Sequence, residues 1–279
     1  MLRKIIVGYD GSPPAAAALA WALDEAERTL APVELLYADE YPVWTPVGDS
    51  SSGPARPESY TVEVIGGMLE EALLTAKRTH PMVEVTLRTV RSFPAPALID
   101  RSRRARLIVI GGRGHSAVSD LLGSVSCAVT AHAHCPVVVV RGSAPSDAPV
   151  VAGIDDSALG TPVLDLAAVQ ASARHVPLRV VRAWPAATEP SVVDREREPF
   201  DTIVTDVRDT FTDVKVEAEA VREHPAAALV RESATAQLLV VGSRGRGVVH
   251  GLLLGSVSQH VLRHSACTVV VVHDTVMRP

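Results

Sequence analysis

Residues 5–12 read Ile-Ile-Val-Gly-Tyr-Asp-Gly-Ser, and residues 150–157 read Val-Val-Ala-Gly-Ile-Asp-Asp-Ser. Each is a short β-branched run that stops at Gly, Asp and Ser, the pattern of a strand covered on both faces and followed by a turn. Asp155 lies 145 positions after Asp10. Further along, Arg91-Ser92-Phe93-Pro94 returns as Arg222-Glu223-His224-Pro225 at an offset of 131, and the glycine loop 111–114 returns as 242–245 at the same offset. Gly123-Ser124-Val125-Ser126 returns as Gly255-Ser256-Val257-Ser258 at 132, as does Cys135 at Cys267. A period of this size over nearly the whole chain means two copies of one unit joined head to tail.

The changing offset locates the length differences. The first copy has 14 extra residues between its second strand and second helix, in the Pro-, Ser- and Gly-rich stretch Asp39 to Ser59, which reads as a loop. It has one residue fewer inside its glycine loop. Strands are expected at Lys4–Gly8, Val33–Ala38, Val83–Val90, Leu107–Ile110 and Val137–Val140. Helices are expected at Pro13–Leu30, about Val62–His80, Pro94–Arg103 and Ser124–Ala133, with Pro13 and Pro94 at first-turn positions. The second copy repeats the alternation from Pro149 to Val272. Strand–helix alternation with short connections predicts an α/β fold of two doubly wound, five-stranded parallel sheets. The units are read as residues 1–141 and 149–275, joined by the Ser/Pro/Ala-rich segment Arg141–Ala148.

A chain of 279 residues suits two such domains, each long enough for its own core. Hydrophobic residues at 47% and charged residues at 21% are a globular balance. No apolar run approaches the ~18 residues of a membrane span, and the N-terminus lacks the features of a signal peptide, so a cytoplasmic protein without a membrane partner is expected. A net charge of −5 opposes a broad nucleic-acid surface. Three cysteines, Cys127, Cys135 and Cys267, are too few and too odd in number for a disulfide framework.

In doubly wound sheets ligands bind beyond the carboxyl ends of the strands, where the strand order reverses. The chemistry-bearing residues collect at those ends: Asp10 and Asp155 after strand one, and Gly111-Gly112-Arg113-Gly114 and Gly242-Ser243-Arg244-Gly245 after strand four. Gly123-Ser124 and Gly255-Ser256 start the last helices. Glycines let backbone N–H groups approach an anion, and a helix N-terminus adds unpaired donors and a positive dipole end. Hydroxyls of Ser256 and Ser258 and the guanidinium of Arg244 or Arg246 extend a phosphate site, while an Asp carboxylate accepts from hydroxyl and amino groups.

Gly242-x-x-Gly245, nine residues, then Gly255-Ser256 resembles the Gly-2x-Gly-9x-Gly-Ser/Thr signature of the ATP-binding universal stress proteins. The Val-Gly-Tyr-Asp-Gly-Ser and Leu-Gly-Ser-Val-Ser runs are similar to that family too, and the likeness covers both halves. The resemblance implies a universal-stress-protein-like fold related to the adenine nucleotide alpha hydrolases, and ATP as ligand, with or without Mg2+. It implies base or ribose contacts at Asp10 and Ala38 in copy one and at Asp155 and Ala183 in copy two. Phosphate and ribose contacts correspond to Gly111, Gly114, Gly123, Ser124, Val125 and Ser126, and to Gly242, Arg244, Gly245, Gly255, Ser256, Val257 and Ser258. The first copy departs from the signature, with eight residues between Gly114 and Gly123. One missing residue tightens that loop or turns the helix start by about 100°.

Plainer roles fit the same residues. A glycine loop between strand and helix suits this fold without any ligand, and Asp10 and Asp155 suit capping of the next helix. His132, His134 and Cys135 lie close in sequence, but the repeat places Ala266 opposite His134 and no fourth ligand is evident, so no metal site is expected. Cys135 and Cys267 read as buried small apolar residues. Trp184 and Trp44 fall near the predicted site mouth.

The inventory favours binding over turnover. There is no Walker Gly-Lys-Ser/Thr, and no catalytic carboxylate pair or Ser-His-Asp order is recognisable, so any ATPase activity is expected to be weak and no residue is assigned as catalytic. The reading is an ATP-binding, nucleotide-responsive stress module. Its alternatives are a slow ATP-using hydrolase or nucleotidyl transferase, and a nucleotide-free structural stress protein. The apolar runs Val137–Val140 and Val269–Val272 would be exposed sheet edges unless covered. The family pairs domains through this strand, which implies a pseudo-dimer within the chain and a homodimer of chains.

Overall fold

A computed structural model describes residues 3–39, 58–112, 122–142, 144–245 and 254–274, with the backbone alone for 58–63. The first copy runs β1 (Ile5–Gly8), α1 (Pro13–Thr29), β2 (Val33–Asp39), α2 (Glu58–Thr79), β3 (Val85–Arg91), α3 (Pro94–Ser102), β4 (Leu107–Gly111), α4 (Ser124–His132) and β5 (Val137–Val140). The second runs β6 (Val150–Gly153), α5 (Gly160–Arg174), β7 (Leu178–Ala183), α6 (Pro190–Thr210), β8 (Val216–Val221), α7 (Pro225–Ser233), β9 (Leu238–Gly242), α8 (Ser256–His264) and β10 (Thr268–Val272). The ten strands form one sheet in the order β3-β2-β1-β4-β5-β10-β9-β6-β7-β8. Within each copy the order is thus 3-2-1-4-5, all parallel, and reverses between strands one and four.

The copies meet where β5 and β10 pair antiparallel. Val138 pairs with Val270, its own repeat equivalent, and Val137 and Val139 pair with Val271 and Val269. A pseudo-two-fold axis therefore passes through the Val138–Val270 pair. The two valine edges cover one another, removing the unpaired strand that each half would otherwise expose. All six valines are 2% exposed or less, and each contributes on the order of 1.5 kcal/mol relative to an exposed one.

Alternation along the strands builds two apolar layers. Val138 and Val270 face the layer under α1, α2, α5 and α6, while Val137, Val139, Val269 and Val271 face the layer under α3, α4, α7 and α8. Both layers cross the seam. Helix α1 presents Ala15, Ala18, Leu19, Ala22, Leu23 and Ala26 to the sheet at helical spacing. Ser12 caps it, its Oγ accepting from Ala15 N at 3.3 Å, and Pro13 opens the first turn.

Two boundaries of the first copy differ from the sequence expectation by more than one residue. Strand β3 begins at Val85 because the Val83 N–H turns back to His80 O at 3.1 Å. Helix α2 begins at Glu58, so Glu58 and Ser59 belong to a helix and Asp39 to β2. The Pro57-Glu58 start signal was masked by its loop-like surroundings. The rest of the stretch Asp39 to Ser59, residues 40–57 with Trp44 among them, lies outside the described residues. No helix among the described residues is long and apolar enough to cross a membrane.

Candidate functional site

In the second copy the ends of β6, β7 and β9 open into a cleft of about 310 Å³ at the strand-order reversal. Its lining includes Asp155, Ala183, Gly242, Arg244, Gly245, Gly255, Ser256, Val257 and Ser258. All nine second-copy residues singled out from the sequence are thus brought together.

One end of the cleft is built from backbone. The Gly255 N–H donates to Ser243 O at 2.8 Å, drawing the strand-four loop onto the start of α8. Gly255 is the N-cap of α8 and has no side chain with which to cap it, so among the described residues the helix start carries no side-chain cap. Ser256, at the first helical position, and Arg244 are exposed beside it. The Ser258 hydroxyl donates to Gly242 O at 2.5 Å, locking the helix start to the strand end. Sequence reasoning made this hydroxyl a phosphate donor; in the structure its proton is used to shape the cradle.

Gly245 faces Asp155 across the cleft. A Cβ built on Gly245 would lie 2.4 Å from Asp155 Oδ2, so any side chain there would displace the carboxylate from its present position. The other oxygen, Asp155 Oδ1, accepts from Ser157 N at 3.1 Å in a local turn. The Asp therefore shapes the turn after β6, while the following helix has Leu159 as its N-cap with no side-chain bond.

On the β7 side, away from the glycine loop, the lining includes Trp184, Pro185, Pro225 and Leu229, with Arg182 and Thr188 beside them. Trp184, expected near the mouth, lines the cleft; it is 3% exposed, and its ring lies under the guanidinium of Arg182 at 5.2 Å. Its Nε1 donates to Glu196 Oε2 at 2.6 Å. Arg182 Nη2 donates to the same oxygen at 2.6 Å and lies 3.4 Å from Asp156 Oδ1. Sequence reasoning missed Arg182 and Glu196, because a charged pair inside a strand–helix layer has no motif. Arg222 Nη2 fixes the loop after β7, donating to Ala186 O at 3.1 Å and Thr188 O at 2.8 Å.

The first copy repeats the frame. Asp10 Oδ1 accepts from Ser12 N at 3.0 Å, the Gly123 N–H donates to Gly112 O at 3.2 Å, and Ser126 Oγ donates to Gly111 O at 2.9 Å. Gly123 caps α4 without a side chain, Ser124 is exposed at its start, Val125 follows, and Ala38, next to last in β2, pairs with Val90. One difference stands out. Gly11 has φ +79, and the Met68 sulfur sits 2.2 Å from where its Cβ would be, so α2 closes over this turn. Position 156, its counterpart, is an aspartate. Gly114, Arg113 and Arg246 lie outside the described residues.

Burial pushes the Cys135 thiol up to about 12 and the Cys267 thiol up to about 11, as suits small buried residues. His132 Nδ1 pairs with Ala128 O of its own helix at 2.9 Å. Among the described residues no three His, Cys, Asp or Glu side chains are grouped to hold a metal ion.

The model of the Universal stress protein family matches residues 1–141 and again 148–273. Universal stress protein Rv2623 of Mycobacterium tuberculosis is 32% identical over 287 aligned residues, spanning 97% of this chain and 96% of its own. Universal stress protein Rv2005c of the same species is 31% identical over 294 residues, 97% of each chain. A crystal structure of a universal stress protein from Archaeoglobus fulgidus aligns with a TM-score of 0.69 over 97% of this chain and 96% of that one. At 20% identity, that likeness is one of fold.

Proposed function

The chain belongs to the universal stress protein family, and we propose that it is a nucleotide-responsive module that holds ATP in its C-terminal cleft. The observation that carries the reading is the polarity of that cleft. At one end, the Gly242–Gly245 loop meets the side-chain-free N-terminus of α8, with Arg244 and Ser256 beside it. First-turn N–H groups, a helix dipole and a guanidinium together favour a polyanion. On the β7 side, Trp184, Pro185, Pro225 and Leu229 offer a largely apolar wall for a flat ring. Asp155 stands between them, placed to accept from ribose hydroxyl or base amino groups.

Triphosphate, sugar and base in that order match this sequence of environments, and the donor set fits without any change of residue. The first copy carries the equivalent strand-end groups, and a second nucleotide there is part of the same proposal. Equilibrium binding of ATP to the native chain and to a Gly242→Ala/Ser256→Ala variant tests the reading. Loss of affinity in the variant is expected, because a Cβ on Gly242 would lie 3.0 Å from Arg244 O and disturb the loop. Equal affinities would remove the proposal.

A further inference from the structure

We infer that Glu196, which reaches the cleft only through other side chains, is the positioning residue for its β7 side. The inference rests on the reading that ATP occupies this cleft. Ala183 ends β7 at the cleft, and its two neighbours, Arg182 and Trp184, also line the cleft and reach Glu196 on α6. A single carboxylate oxygen, Glu196 Oε2, accepts from both, at 2.6 Å from Arg182 Nη2 and 2.6 Å from Trp184 Nε1. Arg182 also lies over the indole, so the three side chains form one closed group. All three are buried, at 8%, 5% and 3% exposure for Glu196, Arg182 and Trp184. Trp184 N also donates to Val221 O at 2.9 Å, which joins the strand end to β8.

The consequence is a fixed backbone at Ala183. With both flanking side chains held by one oxygen on α6, the backbone between them cannot twist or withdraw, and the wall formed by Trp184 and Pro185 stays in register with Asp155. Such support is what a binding surface needs from groups that do not touch the ligand. The device belongs to the second copy alone. The repeat places Tyr37 and Asp39 at the positions of Arg182 and Trp184, so the first copy has neither the guanidinium nor the indole that Glu196 holds.

The test separates the two ends of the cleft with two ligands, ATP and inorganic tripolyphosphate. For Glu196→Ala we expect ATP to bind about tenfold more weakly while tripolyphosphate binds as in the native chain, the size expected for one lost positioned hydrogen bond. Glu196→Gln retains an acceptor for the Trp184 N–H and is expected to recover most of the difference. Because Glu196→Ala strands a buried guanidinium, an Arg182→Met/Glu196→Leu exchange, which leaves no charge buried, is measured beside it and is expected to show the same selective loss. Native-like ATP affinity in the variants that fold overturns the inference, as does an equal loss for both ligands. Failure of the native chain to bind ATP at all overturns the earlier functional reading instead.

Discussion

Glu25 and Gln170 occupy equivalent positions in the two copies and hydrogen-bond to each other, Gln170 Nε2 donating to Glu25 Oε1 at 2.8 Å. The contact joins α1 to α5 across the pseudo-two-fold axis. The pair is not symmetric in charge. Arg174 supplies the missing cation, its Nη2 3.0 Å from Glu25 Oε2, while its other nitrogen, Nη1, bonds Gln170 Oε1 and its guanidinium lies 5.5 Å from the Trp21 ring. Glu25 is fully buried. Burial lowers the Arg174 pKa, and Glu25 opposes that shift.

Removing one partner of a buried pair leaves the other desolvated and unpaired. Glu25→Ala is therefore expected to destabilise the chain by at least about 3 kcal/mol, and Glu25→Gln by less. Denaturant unfolding of the three chains gives the comparison, and an alanine variant as stable as the native chain contradicts the assignment.

Leu30 and His175, again repeat equivalents, end α1 and α5 in the left-handed conformation at φ 52 and φ 55. Glycine usually takes that position because a Cβ there costs about 1–2 kcal/mol, against a smaller entropic cost for glycine in the unfolded chain. Leu30 is 81% exposed, so its side chain contributes little packing. Leu30→Gly should raise stability by about 0.5 kcal/mol. A rise in thermal midpoint is the expected readout, and a fall would show that the side chain matters.

These helix ends show where sequence reading stops. The cue for such a stop is Gly, and neither position has it, so α1 was read one residue long. The strands and most helices were legible because valine runs and proline starts are local signals. The glycine loops and strand-end Asp were legible because the repeat prints them twice. Arg182, Glu196 and the Glu25–Gln170 contact were not. Each depends on side chains 12 to 145 residues apart that only the packed helices bring together. The pairing of β5 with β10 follows from the family resemblance together with two valine edges needing cover, but its centring on Val138 and Val270 required the structure.

His273 gives a pH dependence. It follows β10, is 6% exposed, and its Nε2 pairs with Thr130 O of α4 at 2.8 Å. Burial holds its pKa below the ordinary 6.5, with smaller repulsion from Arg244 and His134, against the opposing effect of backbone hydrogen bonds. The unfolded chain then binds this proton more readily than the folded one. The stabilisation is complete above pH 6.5 and is lost as pH falls from there toward the folded value. Unfolding midpoints between neutral and mildly acidic pH should fall less steeply for His273→Gln than for the native chain. Parallel curves would contradict this.

Gly245→Val should cost ATP affinity without unfolding the chain. The new Cβ would fall 2.4 Å from Asp155 Oδ2, so the carboxylate or the loop must move, and a loss of at least about tenfold is expected. Gly66→Ala is the control. It sits in α2 where an added Cβ meets nothing within 4 Å, and binding should be unchanged. A calorimetric titration of both variants separates a local effect from a general one; a like loss in both would point away from the cleft.

The most direct test of the C-terminal cleft as a nucleotide site is native mass spectrometry of the intact chain with added ATP, counting nucleotides per chain. The expected spectrum carries a species heavier by ATP, which Gly245→Val reduces. A spectrum of bare chain at every ATP concentration, or an adduct that the variant leaves untouched, would contradict the account.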